Sequence, residues 1–214
     1  MNPIASDTDP PGRFIWLASQ SPRRQALLDQ IGVGFRLLIA DDSEDAESLE
    51  QVRLGESPTQ YVTRVVQDKA GAARERLARR GGIAAPILVA DTTVAVGGQI
   101  LGKPLDEADA ERMLQTLSGR THRVLSAVAV LHEHRLVQRT QVSRVSFARL
   151  SSAWIRAYIA SREPFGKAGG YAIQGAAATQ IRRIEGSYSG IMGLPLHETA
   201  LLLRRVGILP GSFA

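Results

Sequence analysis

The stretch Ile87-Leu88-Val89-Ala90-Asp91-Thr92-Thr93-Val94-Ala95-Val96 constrains this chain most. Its first four residues form a continuous apolar run, the pattern of a strand covered on both faces. A covered strand calls for helices on the sheet, so the run points to an α/β chain. It leads directly into Asp91. A carboxylate in an apolar strand is expensive to bury, so Asp91 is paired, metal-bound or functional. Gly97-Gly98 reads as a two-residue hairpin turn. Gln99-Ile100-Leu101 returns, and Gly102-Lys103-Pro104 ends the hairpin, bringing Lys103 back near Asp91.

A second organising stretch lies near the start. Residues 14–18 are a short apolar run and read as a buried strand. Ser19 and Ser21 follow, and Ser21-Pro22 is a helix start of the cap-then-proline kind. Arg23 and Arg24 then fall in the first helical turn, where the helix dipole disfavours cations. A bound anion resolves that conflict. Helix N–H groups, two hydroxyls and two guanidinium groups would hold a phosphate chain. The alternative is a pair of solvated surface arginines.

The first helix runs to about Ile31, and residues 35–40 form a second apolar run, read as a strand. Asp41, Asp42, Glu44, Asp45 and Glu47 come next. They are either a solvated loop or a metal or phosphate site at a strand end. Ser57-Pro58 repeats the cap-then-proline start. The helix behind it carries an apolar stripe at Val62, Val66, Ala70, Ala73 and Leu77. Lys69 stands beside that stripe, either snorkelling to water or projecting charge into a cleft. Asp106 caps a third helix. Two long strands, over residues 124–131 and 136–147, meet at His132-Glu133-His134. Two histidines at a polar hairpin tip read as solvent-exposed side chains rather than metal ligands. Ser151 or Ser152 caps a fourth helix. The glycine-dense stretch after it holds Lys167, a placement suited to phosphate. Gln174 is expected on the following strand, where its amide would read a base edge. Residues 187–195 lead into a last helix ending near Val206.

Composition bounds the rest. The 214 residues suffice for one α/β unit with two lobes around a cleft. The net charge of +5 suits phosphate ligands, but no Lys/Arg run reaches five and aromatics are 5%. A stacking platform for nucleic acid is therefore not expected. No apolar run approaches a membrane span. The absence of cysteine excludes disulfides and thiolate metal sites, in keeping with a cytoplasmic location. Residues 1–13 read as a flexible N-terminal tail without the apolar core of a secretory signal, and residues 14–214 as a single domain.

Taken together, the motifs resemble those of the Maf family of nucleoside triphosphate pyrophosphatases. They are Leu17-Ala18-Ser19 through Ser21-Pro22-Arg23-Arg24, Ala90-Asp91-Thr92, Leu101-Gly102-Lys103-Pro104, Leu117-Ser118-Gly119-Arg120-Thr121-His122, Lys167-Ala168-Gly169 through Tyr171-Ala172-Ile173-Gln174-Gly175, and Gly193-Leu194-Pro195. They occur in the family's order from about residue 14 to 206. Two stretches depart from it. Asp41-Asp42-Ser43-Glu44-Asp45 stands where the family more often has Asp-Ile-Asp-Glu. Ser189-Gly190-Ile191 replaces the commoner Ser-Asn-Val.

The resemblance implies a mixed, twisted sheet with flanking helices, akin to the inosine triphosphate pyrophosphatases. It implies hydrolysis of a nucleoside triphosphate to the monophosphate and diphosphate, with a divalent metal (Mg2+ or Mn2+), and a homodimer. Asp91 resembles the proton acceptor that activates water, and equally a metal ligand. Arg23, Thr92 and Gln174 match the positions that mark the dTTP/UTP branch off from the 7-methyl-GTP branch. Ser21, Arg24, Lys69, Lys103 and Lys167 match polar or basic cleft positions. Glu44 aligns with a family acid near the metal. The competing readings are the same fold with another nucleotide preference and a non-enzymatic regulator of cell division.

Overall fold

The computed structural model describes residues 14–41, 44–45 and 47–211. The expected N-terminal tail and Asp42 lie outside the described residues. β1 (Phe14–Leu17) runs into α1 (Pro22–Gln30), and β2 (Gly34–Leu37) follows. A 3₁₀ turn, Ser48–Glu50, precedes α2 (Pro58–Arg79). β3 (Ile87–Val96) and β4 (Gln99–Leu101) make the glycine hairpin, with Gly97 and Gly98 both at positive φ as its turn requires. Then come α3 (Glu107–Leu117), β5 (Thr121–His132), β6 (Arg135–Phe147), α4 (Ser152–Ala160), β7 (Ile181–Glu185), α5 (Tyr188–Met192) and α6 (Leu196–Arg204).

The helix starts follow their sequence signals. Ser57 accepts from Gln60 N while Gln60 returns its side chain to the Ser57 backbone, a complete capping box. Asp106 caps α3 and Ser151 caps α4. Ser21 occupies the cap position of α1, yet its side chain makes no capping bond.

The seven strands form one mixed sheet in the order β2-β1-β3-β5-β6-β7, with β4 also on β3. β1 is parallel to β2 and β3, and the other pairings are antiparallel. β3 is in register with β5 from Ile87 to Ala95. That occupies one edge, so β1, at Ile87 and Leu88, and β4, from Val94 onwards, share the other. Between them β3 has no strand beside it among the described residues. Three apolar clusters sort themselves around this strand. One packs α2 on Ile87, Val89 and Ala95. On the opposite face, Leu88 and Ala90 meet α1 and α6, whereas Val94 meets α3 and α4. Alternation along β3 therefore sends Asp91 to the α2 face and Thr92 to the other.

One expectation is corrected. The strand anticipated for Gln174 is absent: Ala168–Gly170 and Ala176–Gln180 are 3₁₀ turns, and Gln174 sits in a turn closed by Gly175 N donating to Ala172 O. Positive φ at Gly166, Gly169 and Gly170 curls the approach to it, and an extended run cannot form there. The last helix follows its expected lead-in, which itself holds the short helix α5, ended by Gly193 at φ 119° in a left-handed cap.

Candidate active site

The bare stretch of β3 opens into a cleft of about 850 Å³. The end of β1 and the start of α1 line one side; Gly102, Lys103 and residues 165–168 line the other. Both faces of β3 reach it because no neighbouring strand closes that edge.

On the α2 face, four side chains alternate in charge. Lys69 Nζ lies 2.7 Å from Asp91 Oδ1 and 2.7 Å from Glu50 Oε1. Lys103 Nζ lies 2.6 Å from Glu50 Oε2. Lys69 thus projects into the cleft, and Lys103 returns toward Asp91 with Glu50 between them. Asp91 is 5% exposed, and its buried carboxylate is paired with that ammonium. Burial works against the Glu50 carboxylate, but Lys69 and Lys103 more than offset it and hold its pKa at about 2.

No sequence signal marks Glu50. It sits in a 3₁₀ turn pinned by α2: Tyr61 Oη donates to Glu50 O, and Arg64 donates to Leu49 O and Gln51 O. Glu44, expected near the metal, also lines the cleft, but Arg76 and Arg79 engage its carboxylate. The hydrogen bonds from Arg76 hold the Glu44 pKa below its usual value.

At the start of α1, Ser21 O accepts from the N–H groups of Arg24 and Gln25, while Ser21 Oγ is not spent on capping. Arg24 donates through Nε to Gly193 O (2.8 Å) and through Nη1 to Ser19 Oγ (3.0 Å). Burial lowers the Arg24 pKa, opposed by the charges of Asp91 and Glu50. Arg23 donates to Met192 O. The two arginines are therefore anchored to the α5 terminus rather than left in solvent. A Cβ built on Gly193 would stand 3.7 Å from Arg24 Nε and 3.8 Å from Thr92 Oγ1, so both side chains face that turn.

Lys167 donates to Glu163 O and Phe165 O. Burial lowers its pKa and Arg23 adds repulsion. Gly169 N donates to Gly102 O, which ties the Lys167 loop to the Lys103 turn. Gln174 is exposed and lines the same cleft. His122, part of a quoted motif, is not in the cleft lining. It is buried between Phe147 and Tyr171, with Nε2 2.7 Å from Tyr171 Oη. The exposed Glu133 and His134 and the partly exposed His132 stay at the β5–β6 tip.

The Maf-like protein family profile matches residues 14–206. The chain belongs to the Maf family. Among relatives of this Maf protein, the dTTP/UTP pyrophosphatase of Ralstonia nicotianae is 59% identical over 209 residues, 97% of this chain and 99% of that one. The dTTP/UTP pyrophosphatase of Polaromonas is 56% identical, covering 93% of this chain and 98% of that one. That of Cupriavidus pinatubonensis is 58% identical, covering 90% and 96%. Among solved structures, the Staphylococcus aureus Ham1 protein overlaps 63% of this chain and 71% of its own, at 12% identity and a TM-score of 0.37. That overlap is partial, and the functional reading rests on the site and the relatives.

Proposed function

We propose that this Maf protein hydrolyses dTTP and UTP to the monophosphate and diphosphate, the substrates for which its relatives are named. The observation that carries the reading is the charge-alternating line Asp91, Lys69, Glu50, Lys103 beside a helix start that presents Arg23 and Arg24. A triphosphate needs positive charge from several directions, and these groups supply it from separate elements.

In this reading the phosphate chain lies between Ser21, Arg23 and Arg24 on one side and Lys103 and Lys167 on the other. Asp91 accepts a proton from water through the oxygen that Lys69 does not hold. The water oxygen bonds to the α-phosphorus as the bridging bond to the β-phosphate breaks, and diphosphate leaves. Lys69 holds the other Asp91 oxygen in place during that transfer. Thr92 and Gln174 meet the base, with Arg23 at its edge.

A divalent cation fits the donor set. Two carboxylates, Asp91 and Glu50, converge on one ammonium. Mg2+ is commonly bound by one or two carboxylates plus substrate phosphate oxygens. Among the described residues no three His, Cys, Asp or Glu side chains cluster as a ready-made metal cage. When bound, the ion would neutralise phosphate charge. Glu50, rather than Glu44, is the partner we assign to Asp91 there, since Glu50 shares the Lys69 ammonium with Asp91 whereas Glu44 is turned to Arg76 and Arg79.

The test is diphosphate release from dTTP, UTP, CTP and 7-methyl-GTP, each with Mg2+ or Mn2+. Preference for dTTP and UTP is expected. Release from none, with folded protein, overturns the reading and leaves a binding protein. Steep weakening of any RNA or DNA association with salt would then mark a nucleic-acid ligand.

A further inference from the structure

Thr92 and Ser126 stand directly opposite each other in the β3–β5 register. Their neighbours on the same face are Ala90 and Val128 on one side, Val94 and Val124 on the other, all buried apolar residues. This polar pair interrupts the apolar face where the clusters of α1 and α6 give way to those of α3 and α4. Ser126 is fully buried, whereas Thr92 borders the cleft.

The proton inventory of this pair has one solution. Ser126 Oγ lies 2.6 Å from Gly190 O and 2.8 Å from Thr92 Oγ1. A carbonyl oxygen only accepts, so the single Ser126 hydroxyl proton goes to Gly190 O. The proton in the Thr92–Ser126 contact must then be the one on Thr92. Gly190 O also accepts from Gly193 N at 3.0 Å, which fixes the carbonyl at the α5 terminus. A Cβ at Gly190 would come within 2.7 Å of Gln141 Oε1, so a larger residue there requires the Gln141 side chain to move. With its proton committed to Ser126, the Thr92 hydroxyl offers the cleft lone pairs only.

We infer that Ser126 is a positioning residue that makes Thr92 an acceptor-only contact for the base, selecting pyrimidines that carry an N3–H. The inference rests on the dTTP/UTP reading above and supplies its discriminating chemistry. Thymine and uracil have a hydrogen on N3 and pair with such an acceptor. Cytosine has a lone pair on N3, which meets the lone pairs of Thr92 and stays unsatisfied. A site built to pair a particular group rejects the analogue that leaves its polar atoms unpaired.

The experiment measures kcat and KM for UTP and CTP in the unaltered protein and in Ser126→Ala. The unaltered protein is expected to favour UTP. In Ser126→Ala the Thr92 hydroxyl is free to turn and donate, so kcat/KM for CTP rises about tenfold, through KM with kcat little changed, while that for UTP falls. A merely structural role for Ser126 would lower both substrates together. An unchanged UTP-to-CTP ratio, or parallel loss on both, overturns the inference. Should Ser126→Ala not fold, UTP methylated at N3 decides with the unaltered protein. Its kcat/KM is expected to be at least about a hundredfold below that of UTP, and near-equal use overturns the inference. Hydrolysis of UTP and CTP equally well overturns this inference alone, whereas hydrolysis of neither UTP nor dTTP overturns the functional reading beneath it.

Discussion

Lys69 Nζ and Asp91 Oδ1 are 2.7 Å apart, one from the middle of α2 and the other from the middle of β3. The helix packs on the strand through Val62, Val66, Ala70 and Ala73, so the ammonium is delivered by an apolar seam. Asp91→Asn keeps the volume and removes the proton acceptor. Turnover of dTTP is expected to fall by about 10²–10⁴-fold with the circular dichroism spectrum intact. Lys69→Met leaves two carboxylates facing each other and should also abolish most turnover. Near-normal diphosphate release from Asp91→Asn would remove Asp91 from the reaction, and from Lys69→Met would remove the ammonium's part in it.

Glu50 and Glu44 are expected to separate cleanly. Glu50→Gln weakens the hold on Lys69 and Lys103 and should lower kcat/KM for dTTP by about 10²-fold, with its metal dependence shifted to higher concentration. Glu44→Gln leaves the buried Arg76 guanidinium underpaired and should cost about 1–3 kcal/mol of stability. Its activity per folded molecule stays close to normal. Urea unfolding and metal titration of the same two variants check both arms. The reverse pattern would make Glu44 the site acid.

His122 gives the fold a dependence on pH. Burial lowers its pKa to about 4 from 6.5. The unfolded chain therefore takes up this proton first as pH falls, so stability declines from about pH 6.5 down to about pH 4, by up to about 3 kcal/mol. His122 Nδ1 has no hydrogen-bond partner, and Nε2 meets Tyr171 Oη, so a second proton on the ring has no acceptor to meet at Nδ1. In His122→Gln the urea midpoint should change much less between pH 7 and pH 5. An equally steep decline in that variant would place the titration elsewhere.

Gly169 couples the fold to the two loop lysines. Its φ is +71°, and a Cβ there would stand 2.9 Å from the side chain of Val94. Gly169→Ala is expected to cost about 1–3 kcal/mol. Because Gly169 N holds Gly102 O, the substitution should also raise KM for dTTP. Thermal melting and steady-state kinetics report the two effects. Unchanged KM would show that the tie between the loops does not position Lys103.

Much of this site is legible in the chain because its residues ride on periodic elements. Asp91 breaks an apolar run, Lys69 breaks the margin of an apolar stripe, and Arg23 and Arg24 break the rule for a first helical turn. Each conflict marks a place where local preference yields to the cleft. Glu50 carries no such mark. It lies in a long connection already rich in Asp and Glu, and its place depends on Tyr61 and Arg64 reaching back from α2. The resemblance to the family's acid leads to Glu44 instead. Gln174 departs from its expected strand for a related reason, since left-handed glycines curl a stretch whose apolar residues alone suggest a strand. The Thr92–Ser126 pairing needs strand register, which periodicity does not supply.

The uncovered stretch of β3 has a consequence for how the molecule behaves in a crowd. A bare edge on an interior strand ordinarily templates another chain, and long bare edges are aggregation hazards. Here β1 stops at one end and β4 begins at the other, with about five residues between Leu88 and Val94, on the order of 17 Å of strand. Both flanks are walled by strands already in place, so an incoming polypeptide has no room to lengthen its pairing. A short, highly charged guest fits such a slot far better than a peptide does. The interrupted sheet therefore stays open to small molecules while remaining a poor seed for strand addition.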